Sequence, residues 1–190
     1  MTTPLATTRS AVGIPTGRLA VWWVLASEIV IFGGLLGVYI MHRIGHPDWA
    51  NQAIHTNVWT GGFNTFVLLS SSLSAALAHK AAQDGDGRKA ARFLLYTVAG
   101  GAVFLVVKAF EWTHEIANGF TIRSNMFWSF YYTAAGLHAA HVLAGMVIML
   151  FVAAAAARNR EMHRVENVWI YWHFVDIVWI FLFPLLYIAK

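Results

Sequence analysis

The sequence predicts an all-α, polytopic membrane bundle of five transmembrane helices. Three observations predict it. Charged residues make up 12% of the chain against 58% hydrophobic, where a soluble domain carries about 25% charged residues. The mean hydropathy is +0.58. Five apolar runs, at about 19–41, 58–78, 92–110, 127–152 and 168–189, reach or approach the ~20 residues that cross a hydrocarbon core as a helix. Helix is the only choice for them, because the edge of an open strand cannot satisfy its backbone in lipid.

A polar tail, residues 1–17, precedes a single transmembrane domain, residues 18–190. The first run is longer than a signal h-region and lacks a small-x-small cleavage pattern, so it is expected to be a span rather than a removed leader. It carries Glu28 and the pair Gly33 and Gly37. "HRIGHPDWANQAIHTN" (42–57) separates it from the second run, whose serines at 70, 71, 72 and 74 are expected to bond back to helix carbonyls or across to a neighbour. "HKAAQDGDGRK" (79–89) is the next break. The third run holds Gly100, Gly101 and Lys108, the last one turn before Glu111 and so expected to snorkel and pair at the interface. After "EWTHEIANGFTIRSN" (111–125) the fourth run carries His138 and His141 and the small-residue series Gly136, Ala140, Ala144. "RNREMHRVEN" (158–167) leads into the fifth, with His173 and Asp176. Small residues four apart are expected to let helix backbones approach closely.

Five spans place the termini on opposite sides. The N-terminal side collects Arg9, Arg18, Lys80, Arg88, Lys89, Arg92, Arg158, Arg160 and Arg164, against Arg43, Arg123 and Lys190 on the other. The asymmetry puts the N-terminus in the cytoplasm and the C-terminus outside. It also explains the basic pI as a topology signal, and no concentrated patch supports nucleic acid as a partner. Cysteine is absent, which excludes disulfides, thiolate metal sites, iron–sulfur clusters and cysteine nucleophiles. No G-x-S-x-G context surrounds the serines.

An ionisable group in the bilayer costs at least about 2.5–3.5 kcal/mol on insertion scales, so Glu28, His138, His141, His173 and Asp176 demand an explanation. By the ~1.5 Å rise per residue, Glu28, Asp176 and His141 lie roughly 15, 12 and 16 Å from the cytoplasmic ends of their spans, and His138 near ~21 Å. These groups are therefore expected to point inward and hydrogen-bond one another across the first, fourth and fifth spans. His173 sits roughly 9 Å from the depth of His141, which is poor geometry for a bis-histidine haem. No H-E-x-x-H metal motif occurs. No catalytic residue, cofactor ligand or metal ligand is expected in this chain.

Several stretches, in order, match one family. "YWHFVDIVWIFLF" (171–183) resembles the last helix of subunit III of the haem–copper oxidases, the cytochrome c oxidase family. "GLHAAHVLAG" (136–145), "LASEIVIFGGLLGVYI" (25–40), "NTFVLLSSS" (64–72), "KAFEW" (108–112) and the turn "DGDGRKA" resemble further parts of it, over roughly residues 15–190. The resemblance implies a non-catalytic subunit that packs on the catalytic subunit I, with subunit II in the same complex, in a bacterial plasma membrane. It implies haem and copper in those partners, cytochrome c or a quinol as donor to the complex, bound phospholipid, and support for proton uptake and dioxygen reduction. The family's buried glutamate falls on Glu28, and His138, His141, His173 and Asp176 become structural or proton-network candidates. The five-helix form lacks two helices that flank a lipid-filled cleft in longer members. Subunit III of a quinol oxidase and an accessory protein of a nitric oxide reductase are alternatives of the same kind. A stand-alone b-type haem anchor and a transporter are rivals of another class. The absence of internal repeats and broken spans speaks against a transporter.

Overall fold

The structure, a computed structural model, describes residues 16–46 and 49–188. Most of the polar tail lies outside the described residues. Those residues form six α-helices: α1 Thr16–Gly45, α2 Trp49–Ala53, α3 Val58–Gln83, α4 Gly87–Ala117, α5 Met126–Ala156 and α6 His163–Phe183. Five stretches are long and apolar enough to span a membrane: Gly17–Gly45, Val58–Gln83, Gly87–Ala117, Met126–Ala156 and His163–Ile188. α2 is a short connector.

Several helices run past the apolar limits read from sequence, because capping residues rather than hydropathy end them. Asn57 accepts from the Trp59 and Thr60 amides, Asp86 from Lys89 and Asn125 from Trp128, so orphan N–H groups of the first turns are satisfied. Gly85, at φ +79°, closes α3 by letting the Asp86 amide reach back to the Ala81 carbonyl, a left-handed position that suits glycine. α6 does not stop at Pro184. It continues as one π-helical turn, Pro184–Ile188, which brings Tyr187 into the interior, fully buried.

α3, α4, α5 and α6 pack into a four-helix core, and α1 leans on α6 with a lighter edge on α5. The buried side chains of α1 are Leu25, Phe32 and Tyr39, seven residues apart. That single stripe leaves most of α1 facing away from the bundle. At one end the α3–α4 and α5–α6 turns meet, where the Asn159 side-chain oxygen accepts from the Gly87 amide. Arg18, at the start of α1, joins them through Glu166. At the opposite end Tyr39 donates to the Leu185 carbonyl, and Asn125 donates to Gln52 of α2. Among the described residues, most lysines and arginines lie at the first of these ends.

Of the small-residue positions, Gly100 and Gly101 stand at tight helix crossings. A methyl at Gly100 would lie 2.6 Å from the Ser71 Cβ, and one at Gly101 would lie 2.9 Å from Trp172 and from the Met146 sulfur. Gly33 and Gly37 meet nothing within 4 Å, and Ala140 and Ala144 are exposed. The close approach expected at those two stripes is therefore not made among the described residues. α1 is held by its larger Leu25, Phe32 and Tyr39 face instead.

Candidate functional site

α3 and α6 run antiparallel and are joined by side-chain rungs. The Trp179 indole donates to Thr65 at 3.0 Å, and the Trp172 indole donates to Ser71 at 3.0 Å. His173 Nδ1 hydrogen-bonds the Ser72 hydroxyl. Tryptophan carries apolar bulk with one N–H that needs an acceptor when buried, so short hydroxyls on the facing helix fit it. Ser70 and Ser71 also bond back to the Phe66 and Leu68 carbonyls. Of the three serines, Ser72 is the one whose partner is a histidine on the neighbouring helix.

The expected inward grouping forms only in part. Glu28 of α1 meets His141 of α5, with Nε2 and Oε2 3.0 Å apart. The two atoms are not aligned for a linear hydrogen bond, so the contact is an electrostatic pairing. His138 lies on another face of α5, fully buried between the rings of Phe104 and Trp179 at 5.4 and 5.1 Å. Neither of its nitrogens has a hydrogen-bond partner among the described residues. Asp176 is 3% exposed and so faces the bundle rather than lipid. Ser72 lies beside it without hydrogen-bond geometry, and the described residues supply no partner to either carboxylate oxygen. His173 therefore pairs with α3 rather than with Asp176 one turn away. The departure has a simple cause: depth along the membrane normal fixes height but not azimuth, and α3, absent from the expected grouping, lies against α6.

His141 Nδ1 lies 2.8 Å from the Leu137 carbonyl oxygen. A carbonyl only accepts, so Nδ1 is the donor there, and Nε2 is the ring atom turned toward Glu28. The pair occupies a largely buried place between α1 and α5.

A second cluster lies toward the opposite end from the basic turns. Lys108 is 1% exposed and does not snorkel. Its Nζ donates to Glu111 Oε2 at 3.2 Å, to the Tyr131 hydroxyl at 3.1 Å and to the Tyr187 hydroxyl at 2.5 Å. Both tyrosine hydroxyls donate to Glu111 Oε1 at 2.7 Å. The rings of Trp112, Tyr131, Trp179 and Tyr187 stand 4.9–5.6 Å from the ammonium. Carboxylate, phenol oxygens and ring faces replace water around the charge, which is why the side chain turns inward rather than to the interface. Tyr131 and Tyr187 were not singled out in the sequence. A tyrosine within reach of a lysine–glutamate pair across helices carries no local signature.

Two grooves open on the surface. One, about 970 Å³, lies between α1, α5 and α6 at the basic end, with Arg18, His163 and Arg164 near apolar Val21, Val24, Ile148 and Phe151. The other, about 390 Å³, is apolar and lies between Trp22, Leu25, Ile29, Phe174 and Ile177 with His173 on its wall. Among the described residues no group of three or more histidine, aspartate and glutamate side chains is arranged to hold a metal ion.

The described residues define a polytopic helical protein of five candidate membrane spans, with charged and polar side chains set in its helix–helix seams. Comparison with known proteins gives the family. The family model of cytochrome c oxidase subunit III matches residues 16–190. Cytochrome c oxidase subunit 3 of Corynebacterium diphtheriae is 37% identical over 173 residues, covering 87% of this chain and 84% of that protein. Its counterpart in Thermostichus vulcanus is 35% identical, covering 86% and 83%, and the probable cytochrome c oxidase subunit 3 of Mycobacterium leprae is 31% identical, covering 90% and 85%. The chain belongs to the cytochrome c oxidase subunit III family, and so to a subunit of a respiratory oxidase complex rather than a free-standing enzyme.

Proposed function

We propose that this chain is the accessory subunit III of a proton-pumping haem–copper terminal oxidase that takes electrons from cytochrome c. In this reading it lies in a bacterial inner membrane with its basic end in the cytoplasm. It packs on the catalytic subunit I, beside subunit II, and sustains proton uptake while haem and copper in those partners reduce dioxygen. The observation that carries the reading is the match of the cytochrome c oxidase subunit III family model to residues 16–190; the buried Glu28–His141 pair between α1 and α5 is the contact that supports a proton role. The names of the relatives favour cytochrome c over a quinol as donor.

The groove at the basic end supports phospholipid as a bound partner. Arg18 and Arg164 are already paired with Glu166 and Glu161 at 3.3 and 3.0 Å, yet a guanidinium has five N–H donors and keeps some for a phosphate. Apolar side chains of α1 and α5 continue the groove along the membrane normal, as an acyl chain requires.

The test is Glu28→Gln in the assembled oxidase. Glutamine keeps the shape of the side chain beside His141 but removes the ionisable group. Haem spectra and assembly are expected to stay unchanged, while proton uptake slows and activity decays faster during sustained turnover. Uptake and decay identical to the parent would overturn the proton role. Failure of the chain to co-purify with a haem-bearing subunit would overturn the accessory role itself.

A further inference from the structure

His42 and His46 lie at i and i+4 in the last turn of α1 and just beyond it, at the end of the bundle away from the basic turns. Neither belongs to the seams described above. His42 Nδ1 is 3.1 Å from the Val38 carbonyl oxygen, and His46 Nδ1 is 2.9 Å from the His42 carbonyl oxygen. A carbonyl accepts only, so both Nδ1 atoms carry the hydrogen. In each neutral ring the lone pair then sits on Nε2. The two rings are parallel within 7°, with centroids 6.1 Å apart, so they present the same edge one helical turn apart. Trp49 stands tilted 6.5 and 6.3 Å from the two rings, and Phe130 lies 5.6 Å from His42, which limits how the rings can turn.

We propose that His42 and His46 form a two-histidine site for a late first-row divalent cation, copper(II) ahead of zinc(II) and nickel(II). The chemistry is that of a metal-binding histidine, whose second nitrogen is normally tied to a carbonyl or carboxylate that fixes tautomer and orientation. Here both rings already have that tie. His42 lies in the last turn of α1 and His46 four residues on, just past its end, the same spacing that holds zinc in helical metalloprotease motifs. The parallel rings, 6.1 Å apart, must tilt toward each other to bring the two Nε2 atoms to a common metal at about 2.0–2.1 Å, and water completes the coordination because His46 is exposed. Imidazole ligands suit copper, zinc and nickel, and the Irving–Williams order ranks copper(II) first. Arg43, the residue after His42 in the chain, adds a positive charge nearby that holds the affinity below that of a three-ligand site.

The experiment uses the full chain in detergent without a polyhistidine tag, titrated with copper(II) and followed by electron paramagnetic resonance. One copper(II) per chain with nitrogen hyperfine structure is expected. His42→Gln and His46→Gln are each expected to weaken binding about tenfold or more, by analogy with the loss of a metal-site partner, while His55→Gln and His114→Gln leave it unchanged. Melting curves in chelator show whether the variants fold, and His46→Gln, at an exposed position, decides the matter if His42→Gln does not. No copper bound by the parent chain overturns the proposal. So does binding that survives His46→Gln, or that falls equally in the His55 and His114 variants.

Discussion

Lys108 Nζ lies 3.2 Å from Glu111 Oε2 with both side chains 3% exposed or less, so this pair is part of the core and not of the membrane interface. Removing one member of a buried pair leaves an uncompensated charge, which costs about 3–5 kcal/mol. Lys108→Met is therefore expected to destabilise the chain by about that amount, because Glu111 keeps only the Tyr131 and Tyr187 hydroxyls. The double variant Lys108→Met, Glu111→Gln is expected to recover much of the loss. Thermal melts of the two single variants and the double variant, read as a cycle, check this. A double variant as unstable as the worse single one would contradict it.

Ser71 and Ser70 make a matched comparison. The Ser71 hydroxyl accepts from the buried Trp172 indole, and the exposed Ser70 hydroxyl serves only its own helix. Ser71→Ala keeps the Cβ that packs on Gly100 but strands the indole N–H, at a cost of about 1–3 kcal/mol. Ser70→Ala is expected to change stability by less than about 0.5 kcal/mol, as surface substitutions do. Tryptophan fluorescence and melting temperature read both. Equal effects would mean that the α3–α6 rung contributes nothing.

Helix number is legible in the sequence because it depends on local composition. The sequence sets Glu28 and His141 at one depth, and the structure brings their side chains to 3.0 Å. His138 and Asp176 were found as buried groups but not with their surroundings, because rotation about a helix axis depends on which neighbour lies where. Ser72 is the clearest case. Its partner is 101 residues away, and a serine in an apolar run satisfies itself on its own backbone as readily as across a seam. Lys108 was misplaced for the same reason: two tyrosines from other helices, one of them on a π turn after Pro184, were needed to hold it inside.

The cap at Asn125 joins local and tertiary roles. Its Oδ1 accepts from the Trp128 amide at 3.1 Å, and its Nδ2 donates to Gln52 at 2.8 Å. Asn125→Asp retains the cap and loses the donor; Asn125→Ala loses both. Loss of an N-cap typically costs about 1 kcal/mol, so the alanine variant is expected to be the less stable by roughly that amount. Only the bond to α2 is shared as a loss. Hydrogen exchange at the start of α5 separates the two: the Trp128 amide is expected to be exposed in Asn125→Ala and protected in Asn125→Asp.

Glycines at Gly100 and Gly37 look alike in sequence and differ in place. A methyl at Gly100 meets the Ser71 Cβ at 2.6 Å, an atom fixed to the backbone, so α3 and α4 must move apart to admit it. Overpacking of this kind costs about 1–3 kcal/mol, and it would also strain the Thr97 bond to the Ser71 carbonyl on the same crossing. A methyl at Gly37 meets nothing within 4 Å, and alanine is the better helix former by about 1 kcal/mol. Gly100→Ala is thus expected to lower the melting temperature of the purified chain, and Gly37→Ala to leave it unchanged or raise it. The second variant carries additional information in the assembled oxidase. If a partner helix approaches α1 closely at Gly33 and Gly37, Gly37→Ala weakens co-purification while the isolated chain stays stable. If that face meets only lipid, assembly is unaffected, and the contrast between the two preparations decides which surface α1 presents to its neighbours.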